Sequence, residues 1–227
     1  MNIISWNIGL TCEYFRHIFM GIKDNITKSV DKISKKILEF NGDIYLLQEV
    51  GYGFNNLNRK VNHKYPYNIH IEELGLVVFS KSKILPVNYS ILKPDWFNYI
   101  FGFNNGYLLC YLPDYDKYVC NIHLSCGFNL INQFKEINFI IDEITCLKSN
   151  KECIIGGDFN FIRKKFNNFC RLFNINYDLN NKEISYHYYF KINLDYFISS
   201  INKKIRELKW RVIKTYESDH FPIYTVC

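Results

Sequence analysis

At 227 residues and 48% hydrophobic content, the chain can fill a core without disulfide staples, which excludes disordered and low-complexity classes. No apolar run approaches the roughly 20 residues that a membrane helix needs, so no transmembrane segment is expected. The formal charge of +6 suits a phosphate-bearing partner, although a lysine-rich coding bias produces the same excess.

That bias is visible in the complete absence of alanine beside abundant Asn, Ile, Lys, Phe and Tyr. Asn and Tyr counts therefore carry no functional weight. The eight cysteines, at 12, 110, 120, 126, 146, 153, 170 and 227, include no C-x-x-C pair for zinc or redox chemistry. The opening MNIISWNI runs straight into a strand pattern, with no basic region, apolar stretch and cleavage site in order. These features predict an intracellular protein, cytoplasmic or nuclear and not secreted, with free thiols.

In chain order, residues 2–8 alternate, with Ile4, Trp6 and Ile8 on one face and Ile3, Ser5 and Asn7 on the other. Ile26, Val30, Ile33, Ile37 and Phe40 then recur every three or four residues, predicting an amphipathic helix that ends near Asn41-Gly42. DIYLLQEV at 43–50 reads as a strand. Further strands are expected at 75–80, 107–112, 118–124 and 153–156. Before the last of these, Ile131, Phe134, Ile137, Ile141, Ile144 and Leu147 form a second helical stripe. Two strands close the chain, at 194–199 and 221–226. With no linker and no internal repeat, residues 1–227 are expected to form one domain. Amphipathic helices among more numerous strands predict an α/β sandwich, its sheets covered by helices on their outer faces.

Strong polar residues mark the strand ends: Asn7, Gln48 and Glu49, His123, Asp158 and Asn160, Asp195, and Asp219-His220. A buried charge costs several kcal/mol unless it is paired or metal-bound, so six such segments point to one shared cleft. Oxygen-rich ligands of this kind suit Mg²⁺ or Mn²⁺ better than zinc. On an extended segment Asp158 and Asn160 would face the same way, whereas the adjacent Asp219 and His220 would diverge. His220 therefore needs a carboxylate other than Asp219.

SWNIG, LLQEV, GLVVFSK, NIHLS, GGDFN, LDYFISS and SDHFPI, in this order, resemble the endonuclease/exonuclease/phosphatase superfamily that includes DNase I. The resemblance spans residues 3–225, and GGDFN and SDHFPI with LQE upstream are its most specific segments. It implies a four-layer α-β-β-α sandwich of two packed, mainly antiparallel sheets, and a Mg²⁺-dependent phosphoesterase. It also implies roles. Glu49 is the principal metal ligand, with Asn7 and Asp219 on the metal side. Asp158 activates water, Asp195 pairs with His220, and His220, His123 and Asn160 stabilise charge during one-step in-line attack on phosphorus. Asn121 is a candidate phosphate contact beside Asn160. Many DNA-repair members carry an acidic residue two positions after the first Asn; here it is Gly9, which offers no second metal ligand, and Glu13 reads as a solvated glutamate more readily than as its substitute. His123 sets the chain apart from members specialised for abasic DNA.

The expected substrate is nucleic acid, cleaved by a nuclease or a DNA-end-processing phosphodiesterase, and no protein partner is evident. Arg163-Lys164-Lys165, Lys203-Lys204 and the aromatics Tyr52, Phe54, Trp96 and Phe97 support that reading. The alternative is a sphingomyelinase-like or phosphoinositide-phosphatase-like hydrolase of a lipid head group or a small phosphate ester.

Overall fold

The computed structural model describes residues 1–10, 26–92, 104–125, 130–147, 150–172, 184–186, 192–201 and 204–227. Alternation in β1 (Asn2–Asn7) sorts its side chains as the sequence predicts. Ile3 joins the cluster between the sheets, while Ile4, Trp6 and Ile8 pack with Val30, Ile33 and Ile37 of helix α1 (Ile26–Phe40). The helix stops where Asn41 turns left-handed, at φ 55°. Strand β2 (Ile44–Gln48) then returns parallel to β1, with Asn7 level with Gln48.

The short helix α2 (Phe54–Val61) adds Leu57 and Val61 to the same outer layer. Strands β3 (Tyr67–Ile71), β4 (Leu76–Ser80) and β5 (Leu85–Ile91) follow, then β6 (Gly106–Leu112) and β7 (Lys117–His123). Helix α3 (Leu130–Cys146) leads into β8 (Cys153–Asp158), which is parallel to β7 with Asp158 level with His123. Helix α4 (Arg163–Leu172), β9 (Asp195–Ile201), β10 (Lys204–Glu207), β11 (Trp210–Val212) and β12 (Ile223–Val226) complete the order.

Two mixed six-stranded sheets result, β11-β12-β1-β2-β4-β3 and β10-β9-β8-β7-β6-β5. They pack face to face through β1 and β2 against β7 and β8, and the fold is an α/β sandwich. Each sheet contains one strand–helix–strand unit with parallel strands, β1-α1-β2 and β7-α3-β8. The carboxyl ends of those parallel strands carry Asn7, Gln48, His123 and Asp158. Open sheets bind ligands at such ends.

The two glycines before Asp158 have different physical reasons. A Cβ at Gly156 would come within 3.0 Å of Leu46 Cδ1 and nearer still to the Phe197 ring, so glycine lets the sheets approach here. Gly157 has φ 151°, and a Cβ there would collide with the Ile122 carbonyl oxygen. Behind them Phe159, Phe161, Phe166, Phe169 and Tyr196 form an aromatic cluster, with Phe166 stacked on Tyr196 at 3.9 Å.

Several expectations need correction. Strands β3, β5, β10 and β11 and helices α2 and α4 were not anticipated, and the final strand begins at Ile223, not at 221. No described helix is long and apolar enough to cross a membrane.

Candidate active site

Glu49 follows the last residue of β2. Strict alternation would send its side chain with Tyr45 and Leu47 toward α1. Instead Glu49 adopts φ 55°, a conformation that a glutamate rarely occupies, and its Oε1 accepts a hydrogen bond from Asn7 Nδ2 at 2.9 Å. The same amide nitrogen donates to Asp158 Oδ2 at 3.1 Å, so Asn7 links carboxylates from both sheets. Asn7 Oδ1 meanwhile accepts from the N–H of Gly9, which is itself left-handed at φ 64°.

Asp158 ends β8, where its Oδ1 accepts from the Asn160 backbone N–H at 2.8 Å. The strand stops there and Asn160 turns left-handed at φ 51°. Asp158 and Asn160 therefore do not share one face of an extended segment, because the aspartate instead caps the turn that follows it. Asn160 Nδ2 donates to Leu124 O at 2.8 Å, spending one amide hydrogen on that turn.

His220 lies between two carboxylates. Its Nδ1 is 2.9 Å from Asp195 Oδ2 and its Nε2 is 3.6 Å from Asp158 Oδ2. Burial works against a charge on this imidazole, but Asp195 and Asp158 outweigh it and push its pKa up to about 10. Burial also raises the Asp158 carboxyl above its ordinary value, against the opposing pull of His220. His123 faces the same centre, its Nε2 3.8 Å from Glu49 Oε1 and 3.9 Å from Asp158 Oδ2. Ligand atoms of Asp158, Asp195 and His220 all fall within 4.8 Å of one another.

The structure thus brings Asn7, Glu49, His123, Asp158, Asp195 and His220 together. Asp219 sits beside the end of β1, half-buried, its Oδ1 3.2 Å from Ser218 Oγ and flanking Gly9. Asn121 is a correction. It is fully buried, with Nδ2 donating to Leu47 O and Val77 O, both at 2.9 Å, and Oδ1 accepting from Gln48 Nε2. A side chain with both ends so engaged has nothing to offer a phosphate. Arg163 is another, since its guanidinium forms a bidentate pair with Glu207 at 2.7 and 3.1 Å. Phe54 stacks on His70 at 4.0 Å. Glu13, Trp96, Phe97 and Lys203 lie outside the described residues.

Several supporting residues escaped the sequence reading. Trp6 Nε1 donates to His220 O at 2.9 Å, and Ser218 Oγ donates to Asn7 O at 2.8 Å, pinning the SDH turn against β1. Ser185 Oγ accepts from the N–H groups of Leu194 and Asp195, fixing the start of β9. The Tyr186 ring packs edge-on against His220 at 5.0 Å. Ser218 and Trp6 lie within the recognised segments SDHFPI and SWNIG, so their supporting roles could have been inferred; Ser185 and Tyr186 carry no local signal.

The family model described as Endonuclease/Exonuclease/phosphatase family matches residues 4–197, and the chain belongs to that family. No curated protein sequence matches it. Among solved structures, a beta toxin variant from Staphylococcus aureus with bound magnesium ions is 16% identical, with TM-score 0.73, covering 98% of this chain and 98% of that one. Sphingomyelinase C from Streptomyces griseocarneus is 14% identical, with TM-score 0.72 and coverage of 99% and 98%. A humanized TDP2 from D. rerio is 16% identical, with TM-score 0.69 and coverage of 99% and 97%. At such identities these likenesses speak to the fold.

Proposed function

We propose that the protein is a Mg²⁺-dependent phosphodiesterase acting on nucleic acid, as a nuclease or a DNA-end-processing enzyme. The observation that carries this reading is the side-chain chain Glu49–Asn7–Asp158–His220–Asp195, which crosses both sheets within hydrogen-bonding or near-contact distances. Both sheets supply it, in keeping with residues 1–227 acting as one catalytic unit.

The donor set fits a hard divalent cation. Glu49 and Asp158 present carboxylate oxygens to a single shared amide donor, and Asp158 is buried well enough to be pushed toward its neutral form. Glu49 would hold the ion, with Asn7 and Asp219 on the same side, and the oxygen-rich set suits Mg²⁺ or Mn²⁺. When bound, the ion supplies Lewis-acid neutralisation of a phosphate oxygen. His220, by contrast, is committed to Asp195 through Nδ1.

The protein's own groups divide the remaining work. Asp158 Oδ2 accepts the proton of the attacking water. His220, held as an imidazolium by Asp195, presents Nε2–H to a phosphoryl oxygen as negative charge grows. His123, with Nε2 near both Glu49 and Asp158, serves the leaving oxygen. Asn160 contributes the remaining amide hydrogen to the phosphate. The net charge of +6 and the described basic residues Lys164 and Lys204 support a polyanionic substrate. The six described cysteines are free thiols, in keeping with a reducing intracellular compartment.

A second reading has one observation in its favour. Leu85, Val87, Tyr89 and Ile91 of edge strand β5 are exposed, and Ile91 is level with Gly106, which is level with His123. An apolar strand leading to the site edge would suit a lipid phosphodiester. Purified protein with Mg²⁺ or Mn²⁺ should cleave single- or double-stranded DNA or 5′-tyrosyl DNA. Turnover confined to sphingomyelin or inositol phosphates would overturn the nucleic-acid reading.

A further inference from the structure

Between the two sheets, one layer below the site, lies a fully buried polar bridge that the mechanism above does not use. Asn121 of β7 gives both amide hydrogens to Leu47 O and Val77 O, which belong to register partners in β2 and β4. That fixes which way its carboxamide faces, since the opposite orientation would set its one oxygen against two carbonyl oxygens. Its Oδ1 must then point at Gln48, and Gln48 must answer with nitrogen. Gln48 Nε2 does so at 2.6 Å, and also lies 3.2 Å from Ser5 Oγ and 3.0 Å from Leu46 O. The consequence is an orphan: Gln48 Oε1 is buried with no hydrogen-bond partner among the described residues.

A buried acceptor without a partner costs about 1–3 kcal/mol, and two apolar side chains would fill the same space without that loss. The place of the bridge in the fold accounts for its retention. Gln48 is bonded to Glu49 through the chain, and Asn121 stands two residues before His123, which is level with Asp158. Glu49 belongs to one sheet while His123 and Asp158 belong to the other. The 3.8 Å between Glu49 Oε1 and His123 Nε2, and the 3.1 Å between Asn7 Nδ2 and Asp158 Oδ2, both span the two sheets and depend on how they are seated. Core packing between aliphatic faces resists separation but specifies sliding weakly, whereas directional hydrogen bonds fix register.

We propose that Gln48 and Asn121 are positioning residues that set the sliding register of the two sheets and thereby the seating of Glu49, the proposed cation ligand, against His123 and Asp158. This rests on the proposed metal-dependent reading. Neither residue touches the reacting atoms; both act through Glu49 and His123. The inference gives Asn121 a task different from the phosphate contact expected of it in the sequence.

The test is Mg²⁺ binding by isothermal calorimetry, without substrate, on wild-type protein, Gln48→Leu and Asn121→Leu, with the thermal midpoint measured alongside. Each variant should fold and bind Mg²⁺ about 10- to 100-fold more weakly, the range typical of groups that orient metal ligands. Leu76→Ala, which removes packing from the same inter-sheet core, should lower the midpoint and leave Mg²⁺ affinity unchanged. Wild-type affinity in both folded bridge variants would overturn the proposal. So would a fall in affinity for Leu76→Ala as large as theirs. If Gln48→Leu and the milder Gln48→Met both fail to fold, the bridge serves the sandwich as a whole and the proposal is equally overturned. Absence of Mg²⁺ binding in the wild type is a different result, and would count against the metal-dependent reading itself.

Discussion

Asp195 reaches His220 from a strand 25 residues away, its Oδ2 2.9 Å from the imidazole Nδ1, while the adjacent Asp219 turns aside to Ser218. The pairing leaves His220 Nε2 facing Asp158 across 3.6 Å. An imidazole placed between two carboxylates holds its proton. Replacing Asp195 with Asn removes the largest of the carboxylate charges that raise His220, ahead of Asp158 and Asp219, and keeps the shape. Activity is expected to fall by about 10²-fold or more. The His220 pKa should drop from about 10 toward the ordinary histidine range, read by NMR of the metal-free protein. An unmoved His220 titration in Asp195→Asn would contradict the assigned pairing.

The same groups give stability a pH dependence with a definite sign. His220 is raised above 6.5 in the folded state, so its contribution is fully present below pH 6.5 and is lost as pH climbs through about 10. Asp158, also raised, acts in the same direction above the ordinary carboxylate range. The metal-free protein should therefore lose thermal stability on alkaline titration. Thermal melts of the metal-free protein from about pH 7 to about pH 10 check this; a midpoint that is unchanged or rises over that range would contradict it.

Glu49 combines function with backbone strain. A non-glycine residue held in the left-handed region costs on the order of 1–3 kcal/mol, which glycine does not incur. Glu49→Gly should abolish metal-dependent activity yet leave the protein as stable as the wild type, or more stable by about 1 kcal/mol. Urea unfolding of the metal-free proteins decides it. A strong loss of stability would show that the conformation is not strained.

Gly157 makes the opposite prediction. With φ 151° and the Ile122 carbonyl in the place of a Cβ, Gly157→Ala should destabilise by about 3 kcal/mol or more. Soluble, fully active Gly157→Ala protein with an unchanged melting temperature would contradict the reading of this turn.

How much of this was legible in the sequence follows from what each residue depends on. The facing of Ile3 against Ile4 and Trp6 is a matter of period two, which a sequence displays directly. The Asp195–His220 pairing followed from family resemblance and from the divergence of adjacent side chains. Asp158 and Asn160 were misjudged because extended geometry was assumed past the strand end, where the aspartate caps its own turn. Arg163 read as part of a basic run for nucleic acid because its partner Glu207 is 44 residues distant. Strand β5 was missed although LPVNYSI alternates, because Pro86 and Asn88 read as turn residues and the strand lies exposed at a sheet edge. Helix α2 buries only Leu57 and Val61, too few to show a stripe.

If DNA is the substrate, contacts to phosphates should make cleavage strongly salt-sensitive. The rate at limiting substrate should fall by about tenfold or more between low and moderate ionic strength, because counterion release drives binding. Initial rates across a salt series check it; a flat response would argue for a small or neutral substrate.

The most direct test of the central claim compares wild type, Glu49→Gln and Asp158→Ala in phosphodiester hydrolysis, with Mg²⁺ and with chelator, after circular dichroism has shown each to be folded. The account predicts turnover only by the wild type, only with the divalent cation. Chelator-resistant turnover by the wild type, or full turnover by folded Asp158→Ala, would contradict it.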